Sequence, residues 1–273
     1  MTTSDTNSFQ IVTNQKRSPA RKRNRNRRPR KNSSGDLSIE SDSSGSSGGR
    51  SQASSCSLKG RNENRKGHPE IPQEEKSRYV ALDCEMVGVG ENGIQSAVAR
   101  VTIVDWDGNI VFDRYVKPDR EITDYRTFVS GITANDYTHH DAIDLESCRK
   151  LVLDHLEGKI LVGHALKNDL HALGIRHDWQ ATRDTAKYEP FMKTRFDDGV
   201  LWPRRLRDLA SEKLSREIQV PGAPHSPYED AMAAMDLYKT ARSKWEKVMD
   251  YKIKKTAEIQ QQRQVLLVAS AAA

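Results

Sequence analysis

Cysteine is scarce in this chain. Cys56, Cys84 and Cys148 are odd in number, widely spaced and contain no CxxC pair. Such a set builds neither a disulfide framework nor a zinc site, and it fits a reducing compartment. Long apolar runs are missing too. The longest candidate, VLLVASAAA near the end of the sequence, has half of the ~20 residues that a membrane span needs. The first ten residues, MTTSDTNSFQ, hold no apolar core of a signal peptide. A soluble protein with no membrane partner is expected. No internal repeat is visible. Residues 1–77 also lack aromatic or β-branched periodicity and are rich in Ser, Gly, Asn and Arg. They offer too little apolar surface to repay ordering, so a disordered leader is expected there.

The 273 residues allow one substantial domain plus appendages. The net charge of +6 is unevenly placed. The leader has 16 Lys and Arg against 8 Asp and Glu, so the remainder is slightly acidic. Within the leader lies RKRNRNRRPRK, Arg21 to Lys31. One reading is a solvated tail. The density of the run favours nuclear import, nucleic-acid attachment or both. SSGSSGG, Ser43 to Gly49, reads as a flexible tether.

Folded sequence is expected from Arg78. Tyr79–Met86, Ala97–Asp105 and Asn109–Lys117 read as three strands, the last two joined by a turn at Trp106-Asp107-Gly108-Asn109. Asp144–Glu157 reads as a helix with Leu145, Cys148, Val152 and Leu156 on one face. A buried strand at Lys159–His164, a helix from about Ala165, a short strand at Ala181–Ala186 and a helix at Arg204–Leu214 follow. The last helix has a marked start: Ser226 as N-cap, Pro227 as first helical residue, and Glu229 closing a capping box. Its apolar stripe runs through Tyr228, Ala231, Met235, Tyr238, Trp245 and Met249. The expected domains are thus the leader 1–77, a catalytic domain 78–251 and a polar extension 252–273, either helical or a frayed tail. A three-strand meander followed by alternating helices and strands indicates an α/β mixed sheet with helices on its faces.

Four acids stand out against this pattern. Asp83 and Glu85 alternate with Leu82, Cys84 and Met86 in YVALDCEMVG, so both project to one face of the strand. Two acids in so apolar a stretch are costly to bury unless a positive charge lies between them. A pair of hard divalent cations about 3.5–4 Å apart, held by oxygen ligands, meets that need. Asp169 lies in ILVGHALKNDL, and His225 and Asp230 lie five residues apart in HSPYEDA. Taken alone, Asp169 and Asp230 read as first-turn helix acids and His225 as a loop histidine. Glu229 has its task in the capping box, which leaves Asp230 as the ligand candidate. His164 reads as a core histidine, and His139, His140, His155, His171 and His177 as surface residues. Tyr228 belongs to the apolar stripe. The residues together support metal-dependent phosphodiester cleavage.

The order Asp, Glu, Asp, Asp, with a His before the last, resembles the DEDDh 3′→5′ exonucleases of the ribonuclease H-like fold. LDCEMVG, DYRTFVSGIT (Asp124 to Thr133), GHALKNDL (Gly163 to Leu170) and HSPYEDA are similar to its RNA exonuclease 4 and ISG20 branch. The resemblance covers roughly residues 79–245. Pro227 stands where the branch more often has a small polar residue, and proline suits a first helical turn. The resemblance implies that Asp83 bridges two Mg²⁺ or Mn²⁺ ions, with Glu85 and Asp230 at one and Asp169 at the other. It implies His225 as general base, a role suited to a side chain that titrates near neutrality. It also implies 3′ polarity, release of nucleoside 5′-monophosphates, and a single-stranded or structured RNA with a free 3′ end as substrate, DNA being the alternative. A non-catalytic RNA-binding scaffold of the same fold is the rival from another class. Met86 is a candidate platform for the terminal base. Arg126 is a candidate contact to phosphate or the 2′-hydroxyl, with a structural ion pair as its competing role. Nuclear, and specifically nucleolar, processing of ribosomal RNA is the wider expectation, with the leader as the attachment point for an import receptor or pre-ribosomal RNA.

Overall fold

The computed structural model describes residues 71–271. The basic run, the tether and Cys56 lie outside them. The described chain opens with α1 (Gln73–Lys76) and then forms a strand meander: β1 (Tyr79–Val89), β2 (Gln95–Asp105) and β3 (Ile110–Lys117). β4 (Ile122–Asp124), α2 (Thr127–Ser130), α3 (Asp136–His139) and β5 (Ile143–Asp144) are short. Then come α4 (Leu145–Leu156), β6 (Ile160–Gly163), α5 (Lys167–Leu173), β7 (Thr182–Asp184), the β8–β9 hairpin (Lys193–Thr194, Leu201–Trp202), α6 (Leu206–Leu209) and α7 (Pro227–Ala271).

Seven strands make one mixed sheet in the order β5-β3-β2-β1-β6-β7, with β4 paired to the end of β1. β1–β2 and β2–β3 are antiparallel, whereas β6 and β7 run parallel to β1. β1 is therefore central and covered on both faces, which explains its near-continuous apolar run. Alternation along it feeds two cores. Tyr79 and Ala81 pack with Val104, Trp106 and the α7 residues Met235, Tyr238 and Trp245. Val80, Leu82 and Cys84 pack with Val152 and Leu156 of α4 and with Leu173 of α5. This is the expected α/β mixed sheet with flanking helices.

Several boundaries differ from the sequence reading. β1 runs on to Val89, because a bulge between Glu85 and Met86 keeps it paired with β2 while β4 takes its other edge. The folded unit starts before Arg78: Ile71 packs against the α7-side core, Lys76 Nζ lies 3.1 Å from Asp107, and Arg242 pairs with Glu75. The helix expected at Arg204–Leu214 begins at Leu206, and its second half, Ala210–Leu214, is wound as a π-helix. Past residue 251 the polar extension takes the helical of its two expected forms, since α7 is one helix of 45 residues. No helix among the described residues is long and apolar enough to cross a membrane.

Candidate active site

The sheet topology brings the acids together. Tyr79 and Ala81 of β1 face α7, and Asp83 and Glu85, further along the same strand, share a cleft with Asp230 in the first turn of α7. Asp169 reaches the same place from the first turn of α5, whose start follows the parallel neighbour β6. All four line one cleft of about 450 Å³ with Met86, Arg126, His164, Asn168, Arg205, Gln219 and His225.

The turn between β6 and α5 is tightly specified. Ala165 adopts a left-handed backbone (φ 58°) that side chains rarely take. Buried Asp184 holds it: one carboxylate oxygen accepts the Ala165 N–H at 2.8 Å and the Ala186 N–H at 3.0 Å. At the other wall, Ser226 Oγ accepts the Glu229 N–H at 3.4 Å, the expected N-cap bond. His225 is fixed by its own N–H, which donates to the Val129 carbonyl at 2.7 Å. Its Nδ1 lies 4.0 Å from Asp230 Oδ2 with the ring half-exposed. Gln219 Nε2 donates to the same Asp230 oxygen at 2.7 Å.

The electrostatics are those of crowded acids. Burial, then the charges of Asp169, Asp230 and Glu85, raise the Asp83 carboxyl well above its ordinary range. Burial and Asp230 push Glu85 up to about 8, with Arg100 opposing. Burial raises Asp169 to about 7, partly offset by bonds from the Cys84 thiol and nearby backbone N–H groups. Burial raises Asp230, offset by Gln219 and His225. Asp230 Oδ1 is buried and has no hydrogen-bond partner. Among the described residues no three His, Cys, Asp or Glu side chains enclose an ion as they stand. The donor set is nonetheless all oxygen and mutually repelling, and one of its carboxylate oxygens is orphaned. That chemistry fits hard divalent ions such as Mg²⁺ or Mn²⁺.

Met86 lies in the cleft wall, half-buried against the α4-side core. Arg126 also lines the cleft, but among the described residues it makes no ion pair. Its Nη1 donates to Ser96 Oγ at 2.9 Å and its Nη2 to the Gly93 carbonyl at 2.8 Å, tying α2 to the β1–β2 turn. His164 belongs to the cleft as well as to the core. Its Nδ1 is 2.9 Å from Thr185 Oγ1, and burial lowers its pKa against the opposing charge of Asp184. Cys84 and Cys148 are buried and free. Tyr228 packs in the stripe and donates to the Gly108 carbonyl at 3.2 Å. Two histidines read as surface are half-buried: His155 packs on Phe112, and His177 Nε2 is 3.2 Å from the Lys159 carbonyl. Gln219, Asn168 and Arg205 were not anticipated. Asn168 adjoins Asp169 in the GHALKNDL motif, a signal that could have found it, whereas Gln219 and Arg205 sit in irregular segments with no pattern to mark them.

Residues 80–238 match the exonuclease family known as RNase T. Human RNA exonuclease 4 is 46% identical over 170 residues, covering 62% of this chain and 38% of the relative. RNA exonuclease 4 of Saccharomyces cerevisiae is 41% identical over 177 residues, 64% of this chain and 58% of the relative. The rat apoptosis-enhancing nuclease is 42% identical over 177 residues, 65% and 52% respectively. The chain thus matches about half the length of these relatives. Among solved structures, the pseudoubiquitin hydrolase–RNA exonuclease module of Saccharomyces cerevisiae Pan2 in complex with AAGGA RNA aligns with a TM-score of 0.52 at 27% identity, covering 72% of this chain and 35% of that one. With a ribonuclease H-like sheet, a cleft of four converging carboxylates and a family match spanning more than half its length, this chain belongs to the RNase T exonuclease family.

Proposed function

We propose that the chain is a metal-dependent 3′→5′ exoribonuclease that releases nucleoside 5′-monophosphates. The observation that carries this reading is the convergence of Asp83, Glu85, Asp169 and Asp230 with His225 in one cleft. Relatives named RNA exonuclease 4 and a structural neighbour solved with RNA support RNA as the polymer.

Asp83, Glu85, Asp169 and Asp230 would hold two divalent cations, whose bound chemistry is activation of the attacking water and stabilisation of the leaving 3′-oxygen. His225 takes the water's proton. Its ring is open to solvent, and its Nδ1 lies 4.0 Å from Asp230 Oδ2. Gln219 keeps Asp230 in one orientation. Met86 offers an apolar surface for the terminal base. Arg126 contacts the strand with N–H groups left over from its two bonds, since a guanidinium carries five donors. Nuclear processing of ribosomal precursors rests on the basic run of residues 21–31 and completes the reading.

The test is 5′-labelled single-stranded RNA with Mg²⁺, products resolved by length. Shortening one nucleotide at a time from the 3′ end is expected, lost in EDTA and restored by Mg²⁺ or Mn²⁺. Asp83→Asn removes one of the crowded charges at constant shape, so it should abolish turnover while circular dichroism stays native. Cuts within a circular RNA, or activity in chelator, would refute the reading. Equal rates on DNA of the same sequence would reassign the sugar preference alone.

A further inference from the structure

A second groove, of about 960 Å³, runs between α5, the segment 175–190 and α7. Its chemistry differs from that of the cleft. Tyr188 lies flat on Trp245, ring centroids 4.0 Å apart and planes 8° from parallel, and gives the groove an aromatic floor. Trp179 and Tyr251 also line it, with 46% and 67% of their surface exposed. Lys167, Arg176 and Lys252 line it, and none of the three has an ion-pair partner among the described residues. Of the acids there, Asp184 is buried and committed to backbone N–H groups, which leaves Glu189 as the exposed one.

Exposed rings beside unpaired cations match bases and phosphates together, the pairing that holds single-stranded nucleic acid without reading its sequence. An acidic peptide would answer the cations and leave the rings unused. The groove also adjoins the cleft: Lys167 lines the one, and Asn168 and Asp169, next along the same turn of α5, line the other.

We infer that this groove holds the upstream nucleotides of a single strand whose 3′ end lies in the carboxylate cleft. The inference rests on the exonuclease reading and adds a length dependence to it. Substrates too short to cross α5 gain nothing from the groove, while longer strands bind through it.

Full-length wild type, a Trp179→Ala/Tyr251→Ala variant and a Lys167→Gln/Arg176→Gln/Lys252→Gln variant should be compared on a 20-nucleotide RNA and on thymidine 5′-(p-nitrophenyl) phosphate. The aromatic variant should raise KM for the 20-mer roughly tenfold or more, with kcat unchanged. The neutralised variant should make the dependence of log KM on log salt shallower by about 2, three phosphate contacts being lost. Neither should alter hydrolysis of the short substrate. An unchanged KM for the 20-mer, or an equal loss on both substrates, overturns the inference. Anisotropy of the labelled 20-mer without metal separates the two readings. If wild type degrades neither substrate, the exonuclease reading fails, and the groove stands or falls on whether the variants lose affinity.

Discussion

Glu85 is 6% exposed, and burial together with Asp230 holds it at about 8 against an ordinary value of 4.5. Between those values the folded state keeps a proton that the unfolded state has released. Stability of the metal-free protein therefore falls as pH rises across that window and changes no further from this group above about 8. Asp169, raised to about 7, acts in the same direction. Melting temperatures in EDTA should decline from pH 5 to pH 8. Glu85→Gln should flatten the decline, and Mg²⁺ should reverse it; a flat profile in wild type would show that the acids do not repel as placed. His225→Ala should slow turnover by roughly 10²–10⁴-fold, the usual worth of a general base. Metal-induced stabilisation should survive, because the carboxylates remain. A mutant turning over at the wild-type rate makes His225 a loop residue. The alternation of Asp83 and Glu85 with apolar neighbours was legible in the sequence because a strand's period is two. Gln219 was not, because a loop residue gains its task only when the chain folds back on Asp230.

Among the elements, α5 carries the tightest constraint. A Cβ on Gly163 would stand 2.4 Å from Leu166 Cδ2 and 3.0 Å from the Leu82 carbonyl oxygen. Leu166 is fully buried at the foot of α5, so it has little room to yield. Gly163→Ala should cost about 1–3 kcal/mol in urea unfolding, the usual range for overpacking. It should lower kcat beyond that loss, since Asp169 moves with the helix; stability lost with kcat intact would mean that the strain relaxes away from the cleft. The start of α7 was legible because Ser226 and Pro227 are start signals. Its continuation past residue 251 was not, because Lys and Gln suit a solvated helix and a frayed end equally. β4, β5, β8 and β9 span two or three residues each, too few to display any period.

For the whole molecule, the edge of the folded unit is the testable quantity. Removing residues 1–70 should leave melting temperature and turnover unchanged. Removing residues 1–77 also deletes Ile71 from the core and the contacts of Glu75 with Arg242 and Lys76 with Asp107. The exposed pairs contribute little, and the partly buried Ile71 about 1 kcal/mol, so the longer truncation should melt roughly 2–4 °C lower. Equal melting of the two would return the boundary to Arg78.

By itself the sequence determined the fold class, the central strand with its two acids, the helices that bear Asp169 and Asp230, and the cap that begins α7. These are local matters, governed by periodicity, capping and the cost of charge in apolar surroundings. Only the tertiary structure decided that the acids converge. Parallel pairing of β6 with β1 and the packing of α7 on the sheet bring side chains up to 147 positions apart in sequence into one cleft. It also decided that Arg126 is tied to Ser96 and Gly93, that Ile71 belongs to the core, and that a cation-lined aromatic groove lies beside the turn that carries Asp169. Such facts depend on contacts between distant segments, and no local pattern encodes which segments meet.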